Sequence, residues 1–359
     1  MSAGPRRIRV RDLETICRDA MRKAGMSDQD AALTADVLVT TDTWGVHTHG
    51  TKQLRGLLKN FRDGKMDVTA SAEIVAQGIS WALYDGHRSM PMVTSRRAMA
   101  TAIEKARGSG IAWVGVRNSG HFGAAGFYAN MAAKEGMLGL SMCNVDPGVA
   151  VPGSRGPVLG TNPLAYAVPA GAEKPVFLDI ATSVVAAGKV YAAQAAGKPI
   201  PDGWLIDKDG LPTTDPTGYP LVGALMPMAG HKGYGIALMI EILTGVLCGG
   251  AFGNDVVSWV NGPAPVNQSL AFLAIDISLG MSRDEFGTRM DKLICGIRGA
   301  PKAVNADRIY LPGEKEWDNR EKALRDGILL PADVVTSLDG LANDFSLDTT
   351  GLFTVVDSA

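Results

Sequence analysis

Apolar residues recur at helical spacing over Val10 to Lys23, where Leu13, Ile16, Cys17 and Met21 share a face and Gly25 follows the end. Ser27 opens a second helix, with Asp30 three residues on as a capping-box variant, and Ala32, Leu33, Ala35, Val37 and Leu38 continue its apolar side. That helix runs into Gly45-Val46-His47-Thr48-His49-Gly50. A third, short helix is predicted over Leu54 to Phe61, stopped by Asp63-Gly64. From about Ile79 the texture changes. The pattern predicts a strand at Trp81 to Tyr84, a helix from Met90 to Arg107 ended by Gly108, and a strand at Ile111 to Val116. A helix from Ala124 to Lys134 ended by Gly136 and a strand at Leu138 to Cys143 follow. Strands alternating with helices predict an α/β layer structure.

Farther on, Asn144 to Asn162 is rich in Gly and Pro and reads as a long surface loop. Val176 to Ile180 reads as a buried strand, Ser183 to Ala195 as a helical run, and Pro199 to Pro220 as loop and turn, with Asp207-Lys208-Asp209-Gly210 its clearest turn. A glycine-laced helix from Lys232 to Leu247, a strand at Leu270 to Ile275 and a helix opened by Ser282-x-x-Glu285 complete the predicted core. The tail holds Pro312-Gly313-Glu314 and a helix around Glu321 to Asp326. The expected division is a helical domain over 1–75, joined by 300–359, and an α/β cofactor-binding region over 76–299.

With 359 residues and 46% hydrophobic content the chain can bury a large core. Its 35 basic and 37 acidic side chains give a formal charge of −2, which recruits neither nucleic acid nor an anionic membrane, so the expected partner is a small molecule or a protein. Cys17, Cys143, Cys248 and Cys295 lie far apart without zinc-like spacing and read as reduced thiols of a cytoplasmic protein. The apolar run Gly233 to Ala251 carries Glu241 near its centre, which argues for a core helix over a membrane span. No secretory leader is expected at Met1 to Val10.

Two segments carry the chemistry. Histidine is suited to moving protons near neutral pH, and His49 beside the Thr48 hydroxyl is the first candidate, with Gly50 leaving room against the backbone. His121 sits in Gly120-His121-Phe122-Gly123-Ala124-Ala125-Gly126, where a predicted strand gives way to a helix, a place where phosphates often bind. This run lacks the Gly-x-Gly-x-x-Gly order, so a Rossmann domain is not supported. Lys232 opens a helix and could meet a phosphate or carboxylate, or be solvated. Asp179 could accept from a ribose or cap the next helix. Glu241 reads as a paired structural carboxylate. A metal site on His47 and His49 is disfavoured because positions two apart on a helix do not share a face.

Taken together the chain resembles the malate/L-lactate dehydrogenase family of the second type, which includes malate, ureidoglycolate and sulfolactate dehydrogenases and piperideine-2-carboxylate reductases. The resemblance runs from about Val10 to Leu330 and rests on the Gly45–Gly50 and Gly120–Ala124 motifs together with Ser141-Met142-Cys143-Asn144 and Gly160-Thr161-Asn162-Pro163-Leu164-Ala165. Asp179-Ile180-Ala181-Thr182-Ser183, Pro212-Thr213-Thr214-Asp215-Pro216, Lys232-Gly233-Tyr234-Gly235 and Leu311-Pro312-Gly313-Glu314 complete it. It implies a non-Rossmann nicotinamide-binding fold of the L-sulfolactate dehydrogenase-like type, a mixed sheet with a helical N-/C-terminal domain, and a homodimer using NAD or NADP. It implies His49 as acid/base, Thr48 at the position of the family's serine, and His121 in catalysis or cofactor contact. Cofactor contacts would come from His121, Phe122, Gly123, Ala124, Ala125, Asp179, Ile180, Ala181, Lys232, Gly313 and Glu314. Thr161, Ala187 and Gly188 match positions near substrate.

Three departures bear on the substrate. Where many members carry an arginine four residues after the motif histidine, able to grip a carboxylate with two hydrogen bonds, this chain has Gln53, and Lys52 or Arg55 would have to replace it. Thr48 keeps the hydroxyl of serine and adds a methyl. Lys189 stands where the imine reductases have aspartate, which argues against cyclic imines. The expectation is an NAD(P)-dependent oxidoreductase interconverting a small 2-hydroxy acid and its 2-oxo acid, with no metal. The rivals are a cyclic imino acid reductase or ureidoglycolate-type dehydrogenase on the same fold, or a protein that has lost catalysis and binds a ligand or partner.

Overall fold

The computed structural model describes residues 4–355. At its centre is a seven-stranded mixed sheet in the spatial order Glu73–Gln77, Trp81–Asp85, Ile111–Ser119, Gln268–Asp276, Met137–Cys143, Leu164–Val168, Val176–Ile180. Only Trp81–Asp85 and Ile111–Ser119 run parallel, joined by the crossover helix Pro91–Ser109; every other neighbouring pair is antiparallel. That arrangement differs from a doubly wound parallel sheet and agrees with the missing dinucleotide fingerprint.

Both faces of the sheet are covered, because alternate residues of the long strand Gln268–Asp276 point to opposite sides. Leu270, Phe272 and Ala274 join the main core with the helices Pro91–Ser109 and Ala125–Lys134. Ala271 and Leu273 meet Met142 and Ile240 of the helix His231–Glu241 on the other face. The sheet begins at Glu73, ahead of the boundary expected at 76.

The N- and C-terminal segments pack together. Strand Arg6–Ile8 lies between Ile328–Leu330 and Thr354–Val355. Asn319 Nδ2 of the helix Glu314–Asp326 donates to the Trp44 carbonyl at 3.0 Å, and Ser337 Oγ of the helix Ala332–Asp344 donates to that of Lys52 at 2.9 Å. Trp44, Phe177 and Trp317 form an aromatic cluster where this helical layer meets the last strand of the central sheet.

Several expectations need correction. The helix expected to end at Gly108 continues to Ser109; Gly110, at φ +80°, makes the stop. The run expected from Ser183 becomes helical only at Ala187, because Ser183 bridges to Pro227 and the Val184 amide donates to Met226. The helix expected over Lys232 to Leu247 is α-helical over His231–Glu241 and widens to a π-type turn over Ile242–Val246. The two stretches read as loops, 144–162 and 199–220, contribute four short strands, Val149–Ala150, Pro157–Leu159, Leu205–Ile206 and Pro212–Thr213, to a five-stranded second sheet completed by Ala224–Leu225. Such strands are too short to show a period; a small core of Val149, Val185, Val190, Ile200, Leu205, Tyr219 and Leu225 holds them.

Candidate active site

The helix Asp28–Thr43 starts as its sequence suggests, with the Ser27 hydroxyl accepting from the Asp30 amide at 3.1 Å. It stops at Trp44, and Gly45 at φ +82° turns the chain into the single 3₁₀ turn His47–His49. Asp42, 1% exposed, anchors that turn from beneath. Its carboxylate meets His47 Nδ1 at 2.9 Å and accepts from the Thr51 amide at 2.9 Å and the Thr51 hydroxyl at 2.6 Å. A Cβ on Gly50 would lie 2.2 Å from Asp42 Oδ1, so the motif's closing residue must be glycine for this anchoring to exist. The Gln53 amide donates to the Thr48 carbonyl and closes the turn on its other side.

His49 faces away from that anchor. The Thr48 hydroxyl is 2.9 Å from its Nδ1, and its ring centre lies 5.5 Å from that of His121. Burial lowers the His49 pKa below the ordinary histidine value, which leaves it neutral at pH 7 yet able to take up a proton. His121 enters from the end of strand Ile111–Ser119 and is stacked flat on Trp259, with ring centres 4.6 Å apart and planes 8° from parallel. Burial, with a smaller contribution from His49, drives the His121 pKa down to about 3. Its Nε2 is buried without a hydrogen-bond partner, and an unsatisfied buried polar atom costs about 1–3 kcal/mol unless a ligand meets it.

Beyond His121 the chain turns at Gly123, φ +81°, whose missing side chain faces the His49 carbonyl, and enters the helix Ala125–Lys134. The Gly126 amide in its first turn donates to Asp179 Oδ2 at 2.7 Å. Asp179 therefore caps this preceding helix across the sheet, not the one that follows it in sequence. Its flank reaches solvent, but the carboxylate sits among protein atoms dense enough to push its pKa up to about 6. Thr182 ties the same strand end to two neighbours: its amide and hydroxyl each donate to the Thr161 carbonyl at 2.9 Å, and its own carbonyl accepts from Met228 at 2.9 Å. Met228 leads into the helix whose exposed first turn carries Lys232. Thus the structure brings His49, His121, Gly123, Gly126, Asp179, Thr161 and the approach to Lys232 into one connected set.

Other expected residues lie at its margins. Gly313, at φ +88°, packs against Phe177, where a Cβ would meet the ring at 2.5 Å. Glu314 is held by Arg298 at 2.7 Å and Arg308 at 3.0 Å, beside a cavity of about 140 Å³. Ala187 and Gly188 begin an exposed helix of the second sheet's region, and no described hydrogen bond joins them to the histidines. Lys52 and Arg55, the cations expected to replace a missing arginine, instead pair with Asp333 at 2.7 Å and Asp344 at 2.8 Å on the C-terminal helix. A groove along Ile16, Lys23 and Leu352 lies far from all this chemistry. Among the described residues no group of three or more His, Cys, Asp or Glu is placed to hold a metal ion.

Two participants escaped sequence reasoning. Trp259 lies in an aperiodic stretch of Gly, Pro and Asn, and only its stacking on His121 marks it. Asp42 reads as one more polar residue near a helix end. Its signal is the pairing of an acid with a glycine at position 50, which becomes visible only once the chain turns back.

The fit to a dinucleotide can be judged from these residues. Gly120, Gly123 and Gly126 are buried and let the turn pack closely against Pro91, Val266, the His49 carbonyl and Asp179, the exposed Asp179 offers acceptor oxygens beside that turn, and the His121 Nε2 lacks a partner. These features suit a polar, extended ligand with a flat ring near the histidines.

Comparison with known proteins supplies the class. The model of the malate/L-lactate dehydrogenase family matches residues 8–339. The malate dehydrogenase of Pyrococcus horikoshii is 38% identical over 329 residues, covering 90% of this chain and 91% of that one. The NAD⁺-dependent ureidoglycolate dehydrogenase of Escherichia coli K12 is 33% identical over 334 residues, 92% of this chain and 95% of that one. In structure, the sulfolactate dehydrogenase of Methanocaldococcus jannaschii superimposes with a TM-score of 0.88 at 32% identity, covering 95% and 98% of the two chains. Fold and relatives together define an oxidoreductase of the dehydrogenase class that acts on CH–OH groups with a nicotinamide cofactor. The chain belongs to the malate/L-lactate dehydrogenase family.

Proposed function

We propose that His49 is the acid/base of a reaction interconverting a small 2-hydroxy acid and its 2-oxo acid. The observation that carries this reading is the contrast within one turn: His47 is tied to a buried carboxylate, while His49 touches only the Thr48 hydroxyl and faces His121. A bound NAD or NADP supplies the hydride acceptor or donor. Thr48 orients the His49 ring so that its second nitrogen meets the substrate oxygen. His49 takes the hydroxyl proton in oxidation and returns it to the developing alkoxide in reduction. His121, kept neutral, acts as a polar plate beside the reacting carbon.

The residues offered to the dinucleotide are Phe122, Gly123, Ala124 and Ala125 in the turn, Asp179, Ile180 and Ala181 at the strand end, Lys232, and the Gly313-Glu314 turn. Thr161, Gln53, Ala187 and Gly188 are the substrate candidates. Arg55 joins them only if its pair with Asp344 opens. The exposed apolar side chains Leu238, Met239, Ile242 and Val246 along one helix support a homodimer formed through that face. The helices of the N-terminal segment, Val10–Lys23, Asp28–Thr43 and Leu54–Arg62, and those of the C-terminal segment, Glu314–Asp326 and Ala332–Asp344, then act as one unit against the sheet. Free thiols, three of the four buried, fit a cytoplasmic setting.

The test is a thermal shift of the purified protein with NADH and with NADPH, followed by a panel of 2-oxo acids, ureidoglycolate and cyclic imino acids. A ligand at about a hundred times its dissociation constant adds roughly 2.7 kcal/mol to stability, a clear rise in melting temperature. A rise with one nucleotide and turnover on a 2-oxo acid support the reading. A rise without turnover on any of these compounds replaces it with a ligand-binding role.

A further inference from the structure

We propose that Trp259 is a positioning residue for the site: its indole holds the His121 ring in a fixed plane and keeps water from one face of it, so that His121 presents a fixed edge beside His49. The proposal rests on the hydride-transfer reading above for its consequence in catalysis, but not for its geometry. The indole and imidazole lie 4.6 Å apart and 8° from parallel, while His49 approaches from another direction at 5.5 Å and 49°. A single imidazole thus has an aromatic wall on one side and the acid/base on the other.

Trp259 is itself held in place. The side chain of Asn60, in the helix Leu54–Arg62, donates to the Trp259 carbonyl at 2.8 Å. On the same helix, the place where Gly56 would carry a Cβ lies 3.4 Å from the indole, so the bare backbone of this turn sits close beside the ring. The loop that follows is fastened by Lys65, whose Nζ donates to the Gly262 carbonyl at 2.6 Å and whose own carbonyl accepts from Val266 at 3.2 Å. The helix that follows the His49 turn therefore also fixes the indole that backs His121.

Removing the wall would admit water to a ring whose Nε2 is now shut off from solvent. The titratable and charged groups around His121 are few. His49 faces it on the preceding turn, Asp42 beneath that turn is occupied by His47 and Thr51, and Lys65 is spent on the far end of the Trp259 loop. None of these would keep a hydrated His121 from protonating, since its depressed pKa is caused mainly by burial.

The experiment compares wild type with Trp259→Ala and Trp259→Phe, following the His121 imidazole by NMR between pH 4 and 8 in the free protein. The spectrum needs no substrate and no turnover, so its result stands apart from whether a 2-oxo acid is ever reduced. The expected outcome is a His121 that does not titrate above pH 4 in wild type, titrates at least one pH unit higher in Trp259→Ala, and returns most of the way in Trp259→Phe. The pH profile of kcat/KM should gain a second ionisation in Trp259→Ala alone, with kcat falling more than KM rises. An unchanged His121 titration in a folded Trp259→Ala protein overturns the proposal. If the alanine variant does not fold, Trp259→Leu, which keeps bulk but not the flat ring, takes its place under the same criteria.

Discussion

His47 and His49 stand two residues apart in one turn, and the protein treats them in opposite ways. His47 is bound at 2.9 Å to a carboxylate that is almost wholly buried and that also receives the Thr51 amide and hydroxyl. His49 has a hydroxyl for a partner, no carboxylate, and a second histidine across the gap. A histidine fastened to a buried acid is part of the scaffold, because removing it strips a partner from the carboxylate that also holds the Thr51 amide and hydroxyl. A histidine held only by a hydroxyl has no carboxylate to fix its proton, which suits a group that must both take up and give back one. The pair of residues that looks like one motif in sequence is thus divided into a structural half and a chemical half.

The sharpest way to break this comparison is to remove each ring in turn. His49→Ala should lower kcat by about 10²–10⁴-fold, the usual contribution of a positioned acid/base, with little change in melting temperature or nucleotide affinity. His47→Ala should do the reverse, costing about 1–3 kcal/mol of stability by stripping a partner from buried Asp42 while kcat changes far less. Equal losses of kcat in the two variants would erase the division.

Acid is a gentler perturbation of the same site. The His121 pKa in the folded chain is about 3, well below the ordinary value near 6.5, so between those pH values the unfolded chain binds the extra proton. Stability is then fully present above about pH 6.5 and falls as pH drops toward 3, by about 3 kcal/mol at pH 4 from this residue alone. The His49 pKa is lowered in the same direction, so it adds to the loss. Urea midpoints measured from pH 7 to 4 should fall in wild type and fall less in His121→Gln. An identical decline in both would place the acid sensitivity elsewhere.

Much of this molecule was legible before its structure, for identifiable reasons. The helix Val10–Lys23 ends where its pattern ends, with backbone bonds closing it at Gly25 (φ +96°), and the Ser27 hydroxyl caps the next one, because bonds local in sequence decide those boundaries. His49, His121 and Asp179 stood out as residue types with chemistry at strand and turn ends. What stayed hidden depends on distant partners. The strand Leu164–Val168 carries no legible pattern of its own, because its short, Ala-containing sequence is stabilised by neighbours on both sides. Asp179 reads in sequence as a ribose acceptor or a cap for the helix after it, yet it caps one that begins more than fifty positions earlier. Lys52 and Arg55 looked free for substrate only because the helix Ala332–Asp344, which carries both their partners, went unrecognised.

The smallest expected effect concerns Gln53, which borders both halves of the turn. Its side-chain amide donates one of its two N–H groups to the Thr48 carbonyl, so it braces the backbone under His49. Gln53→Arg would place a forked cation within reach of the same pocket, and an arginine can bind a carboxylate through two parallel hydrogen bonds. The expected result is a gain of about tenfold in kcat/KM for dicarboxylic 2-oxo acids relative to monocarboxylic ones, about 1.4 kcal/mol of discrimination. Because the brace on Thr48 is weakened at the same time, kcat for the monocarboxylic acids should fall slightly. A steady-state panel on oxaloacetate and pyruvate reads both changes. If the ratio does not move while kcat drops for both acids, Gln53 belongs wholly to the scaffold that His47 and Asp42 build, and substrate charge is read from another side of the cleft.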